Sequence, residues 1–286
     1  MGAGLRAYSA GGRDVVDGYP EDRMSEGGRG QLLLPFPNRV EAGRYEFDGR
    51  AHQLALTEPE AGNAIHGLVR WADWMLIRRE PHATVLEHVL HPRPGYPFTL
   101  ALRIEYALAA GGLSVTTKAT NVGADPCPYG GGAHPYLTAG TETVDTAILH
   151  VPARSVMRSD AHGIPVGTEP VDGTPYDFRR PRPIGATRLD NAFTDLDRDE
   201  DGIARVELRD AHTRRSVVLW VDASHPYVMV FSGDTLPEAE RRRGLAVEPM
   251  TCPPNALRTG QDVIRLAPGE SFTSRWGIAA EPGGRR

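Results

Sequence analysis

Cysteine is scarce in this chain of 286 residues: only Cys127 and Cys252 occur, far apart and each beside a proline. That spacing supplies neither a disulfide framework nor the paired thiols of a metal knuckle, so two free thiols in a reducing compartment are expected. No stretch reaches the ~18 uncharged apolar residues of a membrane span, and the opening Met1-Gly2-Ala3-Gly4-Leu5-Arg6 lacks the charged-then-apolar layout of a secretion signal. A cytoplasmic protein without a membrane partner is the expectation. A basic tract is missing as well. With 32 Lys and Arg against 37 Asp and Glu, the net charge is −5 and nothing is concentrated enough to neutralise a phosphate backbone, which argues against nucleic acid as a partner.

Helical periodicity over ten or more residues is also absent. The best candidate, residues 237–243, has a proline at a first-turn position and Gly244 as a stop, and forms two turns at most. What the chain does have is turn chemistry: 32 glycines and 24 prolines, spread without a period, divide it into many short strands. From Phe98 the apolar residues alternate through Leu100, Leu102, Ile104, Tyr106 and Leu108, turn at residues 109–112, and resume with Leu113, Val115, Thr117 and Ala119. This predicts a long β-hairpin with one buried face. Similar period-two runs predict strands over 84–90, 216–221, 227–231 and 271–278.

The turn-rich segment 154–201 reads as long loops and short edge strands, held by recurring apolar residues such as Ile164, Phe178 and Ile184. No domain boundary is visible there, so residues 1–286 are read as one domain, with a frayed tail over 281–286. The expected fold is all-β, a large twisted antiparallel β-sandwich.

Seven of the ten histidines (His52, His82, His88, His91, His150, His162 and His212) lie in bland polar surroundings. His66, in Asn63-Ala64-Ile65-His66-Gly67, and His134, after Gly130-Gly131-Gly132-Ala133, differ because adjoining glycine lets backbone or ligand come close. Glu248 follows the apolar run Leu245-Ala246-Val247 and precedes Pro249-Met250. A carboxylate so placed is expected to be partly desolvated, with its pKa raised toward the range of a base near neutral pH. The residues alone leave a second reading open, in which Glu248 caps a turn or pairs with an arginine. No HExxH, His-x-His or Cys/His spacing occurs, so no metal ligands are expected. The Gly-x-Ser-x-Gly elbow of a hydrolase and the GxxxxGK[ST] phosphate loop are missing too.

Five ordered segments together resemble the aldose 1-epimerase (galactose mutarotase-like) family. They are residues 33–40 with Gly43-Arg44-Tyr45, then residues 63–67, His134-Pro135-Tyr136, Leu189-Asp190-Asn191-Ala192-Phe193, and Val247-Glu248-Pro249-Met250 through Asn255-Ala256-Leu257. The resemblance implies a galactose mutarotase-like supersandwich and a cofactor-free interconversion of the α and β anomers of a small-molecule sugar, carried out by a monomer or homodimer. It also implies roles: Glu248 as general base, His134 as general acid, His66 near the ring oxygen or C1 hydroxyl, and Arg39, Asn38 and Asp190 as ligands of sugar hydroxyls. As an acid, His134 is expected to be protonated, helped by a nearby carboxylate. The second His-Pro-Tyr, His225-Pro226-Tyr227, lacks the glycine run and is read as structural. Met229 stands where the family often has a substrate-contacting glutamine. Trp71 and Trp74 are candidates for stacking on a sugar or filling core, and Arg241-Arg242-Arg243 for recognising a phosphate or forming a solvated face. A non-catalytic sugar-binding protein, or the same scaffold acting on a phosphosugar or another hemiacetal-like metabolite, are the alternatives.

Overall fold

A computed structural model describes residues 1–281 of the chain, and two antiparallel sheets dominate it. The larger has nine strands in the order Arg182–Pro183, Ala147–His150, Ala204–Asp210, Ser216–Val221, Ser271–Glu281, Gly112–Asn121, Leu100–Ala109, Ala83–Leu90 and Met75–Glu80. The expected hairpin lies at its centre, with Val115 opposite Tyr106 and Ala119 opposite Leu102. The second has six strands: Tyr136–Leu137, Leu245–Met250, Tyr227–Phe231, Asp190–Leu196, Ala153–Ser159 and Pro165–Pro170. Facing side chains of the two sheets merge into one apolar cluster, with Leu102, Ile104, Val115, Leu219 and Trp276 from the large sheet and Val156, Phe193, Val228, Val230 and Val247 from the small one. This is the expected β-sandwich. Such burial of branched and aromatic side chains contributes ~25 cal/mol per Å² and supplies the main stabilisation of a two-sheet fold.

All the strands expected from alternation are present. The segment 154–201 departs from expectation, because Asp190–Leu196 is an interior strand, paired with Ala153–Ser159 on one side and Tyr227–Phe231 on the other. Phe193 enters the core and Ala192 packs with Met157, Met229 and Met250 on the opposite face, so an interior position is available once both neighbours are in place. Residues 237–243 yield only a single 3₁₀ turn, Glu238–Glu240. Cys127 and Cys252 are both buried and free. No helix among the described residues is long and apolar enough to cross a membrane. The frayed tail expected over 281–286 lies, beyond residue 281, outside the described residues.

Candidate active site

The small sheet carries the site on the face turned away from the sandwich core. Along Tyr227–Phe231, Val228 and Val230 enter the core, so Tyr227, Met229 and Phe231 must point the other way. Along Leu245–Met250 the same parity sends Leu245 and Val247 inward and Ala246, Glu248 and Met250 outward. The register sets Met229 opposite Glu248 and Asp190 opposite Phe231. Three neighbouring strands thereby place Asp190, Met229 and Glu248 on one surface.

Loops close over this surface. The two-stranded ribbon Arg39–Glu41 with Asn63–Ile65 pairs Arg39 with Ile65 and brings Asn38 and His66 together at its end, where the His66 amide donates to the Asn38 carbonyl at 2.9 Å. Both residues have left-handed backbones, φ 52° for Asn38 and 62° for His66. Non-glycine residues rarely adopt that conformation, and such strain gathers at functional positions. Residues 130–133 lead His134 in from the other side, its amide donating to the Gln31 carbonyl at 3.0 Å.

The glycine run before His134 serves packing rather than freedom. A Cβ on Gly132 would approach the Pro249 carbonyl oxygen at 2.8 Å, and one on Gly130 the Cys252 sulfur at 2.4 Å. The decisive glycine is Gly28, which the sequence did not single out: with φ +77° and a hypothetical Cβ 2.7 Å from the His134 ring, only glycine admits the imidazole there.

All six residues expected at the site (Asn38, Arg39, His66, His134, Asp190 and Glu248) line one cleft of about 290 Å³, together with Met229 and Trp71. His134 Nε2 lies 3.3 Å from Glu248 Oε1, and the His134 ring stacks on Tyr136 with centroids 5.1 Å apart. Beneath Tyr136 sits Arg29, its guanidinium 4.5 Å from the ring centroid and paired with Asp17 at 3.1 Å and Glu240 at 2.8 Å. Arg39 is gripped by both oxygens of Glu58, at 2.7 and 2.8 Å, which leaves Nη1 over. Glu58 and Arg29 were not anticipated, because each is a partner drawn from a distant segment.

The electrostatics correct one expectation. Burial lifts the Glu248 carboxyl to about 8, reinforced by Asp190 and opposed by Arg39. Burial also pushes His134 down to about 3, with Arg29 and Arg70 adding repulsion. His134 is therefore neutral near pH 7, not protonated as expected, because losing water disfavours its charged form. Near neutral pH the Glu248 carboxyl thus keeps its proton, 3.3 Å from the neutral His134 ring. His66 is likewise held well below its ordinary value by burial and by His134.

Among the described residues, His66 Nδ1, His134 Nδ1 and Glu248 Oε2 are buried polar atoms without a partner. Such atoms are rare in folded chains and mark a place where a ligand or water completes the bonding. Ligand atoms of the same three residues lie within 4.8 Å of one another, so they are the ones that could hold a metal. Two histidines and a carboxylate form a donor set used by catalytic zinc. The expectation of no metal ligands rested on local motifs, and this set is assembled from three separate segments instead.

The remaining candidates separate clearly. His225 is buried, faces Asp222 at 3.3 Å and lines no part of the cleft. Trp71 lines the cleft, whereas Trp74 packs against the core beside His88. Arg242 pairs with Asp145 and Asp234, and Arg243 with Asp17 and Glu240. The arginine run is thus largely committed to carboxylates and stands outside the cleft.

Comparison with known proteins bears on the family and the fold. Residues 1–279 match the aldose 1-epimerase family. The chain is 35% identical over 274 residues to the Escherichia coli (strain K12) protein YihR, covering 94% of this chain and 85% of that one. It is 26% identical over 235 residues to human galactose mutarotase, covering 77% and 66%. Among solved structures, galactose 1-epimerase from Lactobacillus acidophilus NCFM superposes with a TM-score of 0.83 at 22% identity, covering 99% of this chain and 90% of that one. A Caenorhabditis elegans aldose epimerase homologue gives 0.84 at 17% identity, covering 95% and 89%.

Proposed function

The chain belongs to the aldose 1-epimerase family, and from that premise we propose that it is a mutarotase, interconverting the α and β anomers of an aldose by general acid/base ring opening and closure. The observation that carries the reading is the buried His134–Glu248 pair, 3.3 Å apart. The two oxygens that exchange protons in a cyclic hemiacetal are bonded to the same carbon, so an acid and a base serving them must be neighbours. A one-proton pair is the inventory such a reaction needs.

In this reading Glu248 takes the proton of the C1 hydroxyl while His134 gives one to the ring oxygen. The C1–O5 bond breaks to the open aldehyde, the C1–C2 bond rotates, and the reverse transfers close the ring on its other face. The pair's proton must first stand on His134. It reaches that atom along the 3.3 Å contact without changing the net charge of the cleft. Each positioned group is worth ~10²–10⁴-fold, which accounts for the rate without a metal or organic cofactor. His66 supports the ring oxygen or C1 hydroxyl. Asn38, the free Nη1 of Arg39 and the Asp190 carboxyl bind hydroxyls around the ring, and Trp71 offers an aromatic face.

The test is the approach to anomeric equilibrium of freshly dissolved α-D-glucose and α-D-galactose, followed by polarimetry or proton NMR. The proposal expects acceleration over buffer for at least one aldose, unchanged after dialysis against a chelator. A rate equal to buffer for every aldose overturns it.

A further inference from the structure

We infer that the sugar accepted by this cleft carries an anionic substituent remote from C1, bound by Arg70 and Gln31. The inference rests on the mutarotase reading and names the substrate class it implies.

Three arginines bear on the reacting groups. Arg29 is neutralised by Asp17 and Glu240, and Arg39 by both oxygens of Glu58. Arg70 differs. It lines the cleft half-buried, yet among the described residues it has no carboxylate within ion-pair range, and its side chain makes only a long 3.4 Å bond to Gln31 Oε1. A guanidinium that loses water without gaining a counter-charge is unfavourable, and burial accordingly disfavours its charged form. Glu58 pulls the other way from a distance, but its oxygens are already occupied by Arg39.

Gln31 supplies the second observation. The residue is 4% exposed, lines the cleft, and its Nε2 has no partner. Because arginine can only donate, the Gln31 oxygen must face Arg70, and the amide's two N–H groups are what remain for a ligand. The cleft therefore presents, beside its catalytic groups, a patch made only of donors with one uncompensated positive charge. Neutral hydroxyls elsewhere in the cleft meet acceptors such as Asp190. A hydroxyl against Arg70 would leave the charge unmatched, whereas a carboxylate, phosphate or sulfonate takes a bidentate pair of N–H bonds and a third from Gln31.

Position fits as well. The field of Arg70 lowers the protonation of both His66 and His134, so it stands close enough for a substituent on the same ring to reach. Ser25, Gln31, Arg70 and Trp71 also border a neighbouring hollow of about 740 Å³, which places the donors at the throat between the two spaces and leaves room for a group projecting from the ring.

The test compares wild type, Arg70→Gln and Gln31→Leu, each checked by thermal melting, on two readouts. The first is kcat/KM for mutarotation of glucose and galactose against glucuronate, glucose 6-phosphate and a 6-sulfonated glucose. The second is binding of the corresponding methyl glycosides, which cannot open, by calorimetry. An anionic sugar is expected to exceed the neutral ones by about tenfold or more in kcat/KM or affinity, with Arg70→Gln removing most of that preference and Gln31→Leu part of it. The arm that responds identifies the anion. Equal or better handling of neutral sugars by wild type, or an Arg70→Gln loss of the same size for neutral and anionic sugars, overturns the inference. Charge-dependent glycoside binding without turnover of any sugar upholds it and sinks the mutarotase reading instead.

Discussion

The two sheets of the sandwich are built from similar residues and do different work. In the nine-stranded sheet, Gly112–Asn121 alternates buried and less buried positions, and Met75–Glu80 is exposed throughout. In the six-stranded sheet, Leu245–Met250 is buried at every position, Glu248 included. A carboxylate on the open face of the first sheet keeps its water, so its presence says little about function. One on the covered face of the second must be held against a desolvation cost of several kcal/mol, and sites exist where such a cost has a use.

Exchanging roles between the sheets gives the largest expected effect. Glu248→Gln lowers kcat/KM by about 10²–10⁴-fold, whereas Glu105→Gln on the large sheet, a half-exposed carboxylate 3.5 Å from Arg78, leaves turnover as it is and moves stability by no more than about 0.5 kcal/mol. Steady-state kinetics and urea unfolding of the two proteins check both. Leu102→Ala inverts the pattern: this large-sheet residue is 1% exposed, so its truncation costs about 2–5 kcal/mol in unfolding free energy while kcat per folded molecule stays. If Leu102→Ala slowed turnover as much as Glu248→Gln, the division between scaffold and site would be wrong.

Gly28→Ala is expected to cost about 10²-fold in kcat/KM with the fold retained, because a Cβ would displace the His134 ring and small misplacements of catalytic groups are expensive. The last effect is thermodynamic. Between pH 4.5 and about 8 the folded chain keeps a proton on Glu248 that the unfolded chain has released, so the residue's contribution to stability falls as pH rises through that window. Removing the charge should reverse the loss. Glu248→Gln should gain thermal stability over wild type at pH 8 and show little difference at pH 4.5, in melts followed by circular dichroism.

The same contrast explains which parts could be read from the residues. Strands with one wet face alternate, and the hairpin Leu100–Ala109 with Gly112–Asn121 was visible for that reason. Strands buried on both faces do not alternate, so Leu245–Met250 showed only as an apolar run; Asp190–Leu196, whose buried run Asn191-Ala192-Phe193 is flanked by exposed Asp190 and Asp195, was read within a segment of long loops and short edge strands. The six candidate residues were named from ordered motifs, and the fold gathers all of them around one cleft. Their supports were invisible. Arg39 in apolar surroundings calls for a counter-charge, but no spacing selects Glu58 from 37 acidic residues. The protonation of His134 was misjudged because it depends on how deeply the pair is buried, which only the closed loops determine.

The most direct test of the central claim, one proton shared by a buried acid/base pair, is the pH dependence of kcat/KM for anomer interconversion from pH 5 to 10, corrected for the buffer rate. The account predicts a plateau near neutrality and a tenfold fall per pH unit above about 8, where the pair loses its proton. Activity that stays level to pH 10, or that requires His134 to titrate near its ordinary 6.5, would contradict it.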